Sequence, residues 1–175
     1  MLVREPKIYI GTSGWCYDGW AGIFYPDDMS RQEWLSFYSG YFDTVEINSS
    51  FYHLPKAVTF SNWVKKTTDD FLFIVKASKY ITNTKRLIDC SDAVSRLIDV
   101  ASNLGKKLGM FLFQLPPNLK KDLERLKSFI KTLPAGYKYV FEFREESWFC
   151  EEIYKLLNNY NCGIVISDSP KFPRH

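Results

Sequence analysis

Apolar residues gather into six short segments along the chain, and each segment ends in a polar or charged side chain. The segments cover residues 8–13, 44–49, 71–78, 110–116, 139–146 and 163–169. Their lengths and their content of Val, Ile, Phe and Tyr predict β-strands. Polar groups at the ends of successive strands are typical of the active face of an α/β enzyme.

Side chains two residues apart on a strand point to the same face of a sheet. One predicted face is mixed and carries Ile8, Ile10, Thr12, Glu46, Asn48, Ile74, Lys76, Ser78, Met110, Leu112, Gln114, Glu142, Arg144, Ile164, Ile166 and Asp168. The other face is apolar, with Val45, Ile47, Phe73, Val75, Phe111, Phe113, Phe141 and Phe143. Because burying unpaired charge is costly, the mixed face is the expected place for a site.

Helical patterns alternate with these segments. They predict helices over 31–39, 57–67, 91–104 and 122–133, and a fifth marked by Phe149, Ile153, Leu156, Leu157 and Tyr160. Ser30 and Glu33 fit a capping box at the start of the first helix. Alternating strands and helices predict parallel strands in one domain over residues 1–175. The fold class expected is α/β, as a TIM-type (β/α) barrel that stops after its sixth strand, since a full barrel takes about 250 residues.

Net charge, apolar runs and cysteine spacing indicate what class of protein to expect. The 175 residues carry a formal net charge of +3, too small to indicate nucleic-acid binding by itself. Neither a signal sequence nor an apolar run of membrane-spanning length is evident, so we expect a soluble, cytoplasmic protein without a membrane partner. The four cysteines form no CxxC pair and are expected to be reduced and mostly buried.

Several longer motifs resemble one family in their order along the chain. They are IGTSGWCYDGW (10–20), FDTVEINSSFYHLP (42–55), KASKYITNTKRL (76–87), FQLPP (113–117), FEFREESW (141–148) and ISDSP (166–170). In combination they resemble the YecE-like family, known as domain of unknown function 72. The resemblance implies a TIM-type barrel whose other members continue through two further strands. It also implies a departure at Asn83, where the family often has a histidine, and it supplies no reaction.

Five charged residues are the candidate catalytic set: Glu46, Lys76, Glu142, Arg144 and Asp168. Arg144 and Lys76 suit a carboxylate or phosphate group, and the two glutamates suit general acid–base catalysis. The alternative is a purely structural network in which Arg144 pairs with Glu46 or Asp168 and Lys76 pairs with Glu142.

The candidate substrate-binding residues are polar groups and aromatic rings at or just after the predicted strand ends. They are Thr12, Ser13, Trp15, Tyr17, Asn48, Tyr52, Tyr80, Gln114 and Trp148. The rings could form a stacking wall for a sugar or a base, or could simply cap the core. The basic loop 78–90 is either a solvated surface or a phosphate contact.

Metal chemistry finds little support in the sequence. With two histidines and no HxH, HExxH or multi-cysteine spacing, a zinc cluster is not expected. A carboxylate-held Mg²⁺ at Glu46, Glu142 and Asp168 stays open as the one cofactor hypothesis.

Four functions therefore compete. The first is an enzyme with hydrolase- or isomerase-like acid–base chemistry on a small anionic, phosphorylated or nucleotide-like substrate. The second is a nucleic-acid-binding or endonuclease-like barrel, and the third is glycoside hydrolysis by Glu46 and Glu142. The fourth is a non-catalytic truncated barrel that associates with itself if the chain ends at His175, because its sheet edges would be exposed.

Overall fold

A computed structural model describes residues 7–170 and 173 of the chain. Its centre is a six-stranded parallel sheet in which the strands follow one another in sequence order. The strands are β1 (Gly11–Thr12), β2 (Thr44–Ile47), β3 (Leu72–Lys76), β4 (Leu108–Gln114), β5 (Tyr139–Glu142) and β6 (Gly163–Ile164). The predicted parallel β/α architecture is confirmed, and the sheet is open rather than closed into a barrel.

Helices connect the strands at the predicted places. They are α1 (Trp34–Tyr38), α2 (Ser49–Tyr52), α3 (Ala57–Lys65), α4 (Ser91–Ala101), α5 (Leu123–Lys131) and α6 (Glu151–Asn159). Shorter 3₁₀ turns span Asp18–Trp20, Ser102–Lys107 and Glu146–Trp148, and a π turn spans Tyr80–Thr84. The helix α2, which lies directly at the end of β2, was not predicted.

Local sequence signals explain where two of these helices begin. The Ser30 hydroxyl donates to the Glu33 carboxylate at 2.6 Å, and the amide of Ser30 donates to the same carboxylate at 3.2 Å. The expected capping contact is present, but the first helix starts at Trp34 and ends at Tyr38, shorter than predicted. Asp122 caps α5 by accepting a hydrogen bond from the amide of Arg125 at 3.0 Å.

The outer face of the sheet packs against the helices and forms the core. All eight apolar residues predicted for this face are buried, and they are Val45, Ile47, Phe73, Val75, Phe111, Phe113, Phe141 and Phe143. Cross-strand register aligns them in rows, with Val75 beside Phe111 and Phe113 beside Phe141. The prediction for this face is therefore confirmed.

Two face assignments were wrong, one on each edge strand. Thr12 is in register with the buried Val45, and its side-chain hydroxyl lies 2.9 Å from the hydroxyl of Tyr38 on α1, so its side chain faces the helices. Ile164 is in register with the outward-facing Phe141 and packs against the core. Each edge strand pairs over only two residues. The alternation of residue types along the longer predicted segment therefore did not determine which face each side chain points to.

The cysteines differ from expectation in their burial. All four are free thiols, but only Cys90 is buried, whereas Cys16 is exposed. Burial raises the pKa of the Cys90 thiol, and burial likewise raises the pKa of Cys162. The expectation of mostly buried thiols was therefore wrong.

The inner face of the sheet, which is the face predicted to be mixed, lines an open groove. No further strand in the described residues closes this groove. At the amino ends of the strands the groove encloses about 760 Å³, beside Leu72, Ile74, Leu108 and Met110. The polar ends of the strands lie at the other end of this face.

Candidate functional site

Glu46 on β2 and Lys76 on β3 form an ion pair on the inner face near the carboxyl ends of their strands. Lys76 Nζ lies 3.0 Å from Glu46 Oε1, and the two side chains are 12% and 20% exposed. The ammonium also lies 5.7 Å from the centre of the ring of Phe51, which is on α2 directly after β2. This pair is therefore partly shielded from water while remaining reachable from the groove.

A second ion pair follows at the end of β5. Arg144 Nε donates to Glu142 Oε1 at 2.8 Å, and Gln114 Nε2 on β4 donates to Glu142 Oε2 at 2.6 Å. Gln114 and Glu142 are register partners, which explains the short cross-strand contact. Both oxygens of Glu142 are thus occupied, whereas in the described part of the chain Glu46 uses Oε1 alone.

Two of the pairings suggested for a structural network were wrong. Lys76 pairs with Glu46 on the adjacent strand rather than with Glu142. Arg144 reaches back to Glu142 two residues earlier rather than to Glu46. Long side chains two apart on one face can meet, so sequence spacing alone did not identify the partners.

A pocket of about 380 Å³ opens next to the ends of β1 and β2. Its walls include Ser13, Trp15, Cys16, Tyr17, Asn48 and Trp63. Gly14 has a φ of +104°, which turns the chain sharply after β1 and brings Tyr17 back over Ser13. The carbonyl of Ser13 accepts hydrogen bonds from the Tyr17 hydroxyl and, at 3.0 Å, from Asn48 Nδ2.

The core holds the back of this pocket in place. The Tyr25 hydroxyl donates to the carbonyl of Trp15 at 2.5 Å. Tyr25 is 1% exposed, and burial raises the pKa of its hydroxyl, so it remains a neutral donor. Trp63 packs edge-to-face on Trp15 with ring centres 5.1 Å apart.

Four other predicted site residues do not line this pocket. Trp148 is fully buried, stacked 4.8 Å from Phe143, and its indole N–H donates to the carbonyl of Leu119 at 2.6 Å. Tyr52 and Tyr80 are exposed beside a separate cavity of about 520 Å³. Asp168 is exposed and lies beyond the end of β6.

Three side chains that line the pocket were not predicted from the sequence. Cys16 and Ser49 lie in the connections after β1 and β2, and proximity to a strand end was the signal that could have identified them. Trp63 comes from α3, and no local signal places it there, because its position depends on how that helix packs against the connection after β1. The buried Lys107 was also missed; its ammonium donates to the carbonyls of Val64 and Thr67 at 2.8 and 3.0 Å.

The described residues do not bring the predicted magnesium ligands together. No group of three or more His, Cys, Asp or Glu side chains among them could hold a metal ion. Glu46 and Glu142 are instead each paired with a cation. A metal site built from Glu46, Glu142 and Asp168 is therefore not formed in this arrangement.

Comparison with known proteins identifies the family. Residues 9–175 match the family described as "Protein of unknown function DUF72". The chain belongs to this family. It is 33% identical to the UPF0759 protein YunF of Bacillus subtilis (strain 168) over 156 residues, which is 85% of this chain and 54% of that protein. It is 30% identical to the UPF0759 protein YecE of Escherichia coli (strain K12) over 93% of this chain and 59% of that protein.

Solved structures agree with the fold. A DUF72 family protein, TM1631 from Thermotoga maritima MSB8, superimposes with a TM-score of 0.82 at 30% identity, over 95% of this chain and 68% of the other. A second DUF72 family protein, EF0366 from Enterococcus faecalis V583, gives a TM-score of 0.78 at 19% identity, over 97% and 65%. The chain thus spans 54–68% of the length of these four proteins.

The length and hydrophobicity of the helices bear on the expected cytoplasmic location. In residues 7–170, none of the helices is long and apolar enough to cross a membrane. The cytoplasmic location stays a prediction.

Proposed function

We propose that this DUF72 chain is part of an enzyme that performs acid–base chemistry on a small anionic substrate at the carboxyl ends of β2 to β5. One observation carries the proposal. Two glutamate–cation pairs, Glu46–Lys76 at 3.0 Å and Glu142–Arg144 at 2.8 Å, occupy the partly buried end of an otherwise largely apolar sheet face. In barrels of this kind active sites form at the carboxyl ends of the strands.

Stability alone gives little reason for these charges to be there. Partly buried ion pairs lose hydration that their mutual attraction barely restores, and apolar side chains of similar volume often serve a fold equally well. Neighbouring positions on the same face, such as Ile74 and Leu112, are apolar. The cost of placing these charges here supports a functional role for them.

Lys76 is the proposed anion contact. An ammonium has three N–H donors, and in the described part of the chain Lys76 donates only to Glu46. The remaining donors could bind a phosphate or carboxylate group without breaking the ion pair. The Arg144 guanidinium, on the same sheet face, would add a second positive charge.

The two glutamates have different proposed roles because their oxygens are differently engaged. Glu142 is held through both oxygens by Gln114 and Arg144, which suits a group that orients Arg144. Glu46 Oε2 accepts no hydrogen bond from a described residue, which suits a proton acceptor. We therefore propose Glu46 as the general base and Glu142 as a positioning residue.

Calorimetric titration with ribose 5-phosphate and with inorganic phosphate tests the anion site. We expect Lys76→Gln to weaken binding of both about tenfold, since a charge-assisted contact contributes roughly 1.5–3 kcal/mol. Glu46→Gln should bind them at least as tightly as the wild type, because it removes a neighbouring negative charge. Lys121→Gln is the matched control, since Lys121 forms an exposed ion pair with Glu152 on the surface at 2.9 Å.

Two results would contradict the proposal. One is equal binding by the wild type and Lys76→Gln, which would show that the anion contacts another cation. The other is an absence of binding to any phosphorylated compound, with Lys76→Gln and Glu46→Gln only unfolding more easily. In that case the ion pairs would be structural, and the reading as a non-catalytic network would be correct.

Nucleic-acid binding is the second candidate, and one surface favours it. Tyr52 and Tyr80 are 72% and 50% exposed beside Arg96 and His53, an arrangement suited to stacking with a phosphate contact nearby. A dissociation constant for single-stranded DNA that rises steeply with salt, and rises further in Tyr80→Ala, would support it. Absent or salt-independent binding would remove it.

A further inference from the structure

The pocket beside Trp15 and Trp63 is a preformed cavity that the proposed chemistry does not use. Its volume of about 380 Å³ is in the range of small-molecule sites. Trp63 is supported by Phe60 at 5.2 Å and by Phe73 at 6.3 Å between ring centres, so its indole is fixed by the core. The cavity therefore does not need to form when a ligand arrives.

The chemistry of the walls indicates what kind of group fits. Trp15 and Trp63 meet at an interplanar angle of 87°, and Tyr17 borders the same space, so three aromatic rings form part of the wall. None of the described residues that line the pocket has a charged side chain. A neutral ring with apolar faces would thus fit the pocket, with face-to-face and edge-to-face contacts to the two indoles.

The pocket is also lined by three polar side chains, Ser13, Asn48 and Ser49. Asn48 Nδ2 is committed to the carbonyl of Ser13, which turns Asn48 Oδ1 the other way as an acceptor. In the described part of the chain, Asn48 Oδ1 and the hydroxyls of Ser13 and Ser49 make no hydrogen bond to protein. A sugar has hydroxyls around its whole perimeter, and the aromatic walls would leave many of them unpaired. A nucleobase has two apolar faces and polar atoms on its edge, and it matches this pocket better.

The pocket is adjacent to the proposed anion site. Asn48 directly follows Ile47, and Lys76 directly follows Val75, the register partner of Ile47. Neighbouring strands lie about 4.8 Å apart, so one ligand can reach both side chains. The ring pocket and Lys76 are thus positioned for two parts of the same molecule.

We propose that the substrate is a nucleoside monophosphate whose base enters the pocket beside Trp15 and Trp63 and whose phosphate contacts Lys76. Asn48 Oδ1 accepts a hydrogen bond from an N–H on the edge of the base, the type of contact that asparagine makes with adenine. This inference rests on the proposed function, because it uses the same anion contact. It adds a substrate class and a base-binding residue.

Calorimetry with matched ligands tests the inference. The probes are adenosine 5′-monophosphate, adenosine and ribose 5-phosphate, with the uridine series in parallel. We expect the nucleotide of at least one series to bind at least tenfold more tightly than its nucleoside or ribose 5-phosphate. Asn48→Ala should weaken nucleotide and nucleoside binding about tenfold and leave ribose 5-phosphate unchanged, whereas Lys76→Gln should weaken the two phosphorylated ligands and spare the nucleoside.

A measurement on the unmodified protein avoids any effect of a substitution on folding. Cys16 is exposed and lines the pocket, whereas Cys150 lies elsewhere at the start of α6. A bound nucleotide should slow alkylation of Cys16 by iodoacetamide several-fold and leave Cys150 unaffected, as read by peptide mass spectrometry.

The outcomes separate the two proposals. If ribose 5-phosphate binds as tightly as both nucleotides, and neither Asn48→Ala nor Cys16 responds, the base pocket is overturned while the proposed anion site stands. If nucleosides bind as tightly as nucleotides and Lys76→Gln has no effect, the anion site and the nucleotide substrate are both overturned. Failure of both series to bind also overturns the nucleotide substrate.

Discussion

The central strands and the edge strands of this sheet are held in place by different kinds of contact. Strands β2 to β5 are four to seven residues long and have a partner strand on each side, and their outer side chains lie in a continuous buried layer. Strands β1 and β6 pair on one side over two residues each. The central strands are thus positioned by packing, whereas the edges depend on a few specific contacts that fix single residues.

These specific contacts are clearest at β1. The hydroxyl of Tyr38 on α1 accepts from the Thr12 amide at 2.9 Å and donates to the carbonyl of Thr44 at 3.1 Å. One phenol therefore connects β1, β2 and the helical layer. Beside it, a Cβ on Gly11 would lie 2.0 Å from the carbonyl oxygen of Thr44, so only glycine allows this approach of the two strands.

Truncation in the central core should have the largest effect. Phe141→Ala removes a fully buried ring that stacks on Phe113 at 5.5 Å and on Phe143 at 6.3 Å. We expect a loss of about 3–5 kcal/mol in the free energy of unfolding. Ile164→Ala on the edge strand β6, where the side chain is only partly buried, should lose about 1–2 kcal/mol. Urea unfolding followed by tryptophan fluorescence measures both, and equal losses would refute the distinction between centre and edge.

Gly11→Ala should show that an edge can also be sensitive where a single contact is tight. The added methyl group must displace backbone of β2, and we expect a loss of about 2–3 kcal/mol. Gly19→Ala is the matched control, because a Cβ there meets no atom of a described residue within 4 Å. The control should unfold at nearly the wild-type urea concentration. If both variants behave alike, the close approach of β1 to β2 does not occur in solution.

Tyr38→Phe and Tyr139→Phe compare one hydroxyl at the edge with one in the centre. Tyr38 connects two strands, whereas the Tyr139 hydroxyl on β5 makes a single bond to the carbonyl of Pro134 at 2.7 Å. We expect losses of about 1–2 and about 1 kcal/mol respectively. A larger loss of stability in Tyr139→Phe than in Tyr38→Phe would contradict this expectation, because the hydroxyl in the centre would then contribute more than the one at the edge.

The same pair predicts a pH dependence. Burial is the main cause that raises the pKa of both tyrosines in the folded protein. Each phenol is therefore more easily ionised in the unfolded chain, and its stabilisation is complete below pH 10 and lost as the pH rises further. Wild-type stability should fall above pH 10, and each phenylalanine variant should show a shallower fall in urea unfolding measured from pH 9 to 11.

The central strands could be predicted from the sequence better than the edge strands. The buried layer of β2 to β5 was predictable because phenylalanine and valine alternate over enough residues to define a face. The phase of β1 was not, because two residues contain no period, and the hydroxyl that orients Thr12 belongs to a helix 26 residues away. In the site, strand ends located Glu46, Lys76, Glu142 and Arg144, but their pairing depends on rotamers that spacing does not determine. Trp63 depends on helix packing, which local patterns do not contain.

Thr12→Val gives the smallest expected effect and separates two roles for one residue. The sequence suggested Thr12 as a ligand contact, whereas the structure places its hydroxyl 2.9 Å from the Tyr38 hydroxyl and 2.6 Å from the carbonyl of Gly14. Valine keeps the shape and removes the hydrogen bond to the Gly14 carbonyl and the polar contact with the Tyr38 hydroxyl, so we expect a loss of about 1 kcal/mol and unchanged binding of ribose 5-phosphate. Ser13→Ala, next to it but facing the pocket, is the control and should leave stability unchanged. Weaker ligand binding by Thr12→Val at unchanged stability would return Thr12 to the inner face and contradict the register of β1.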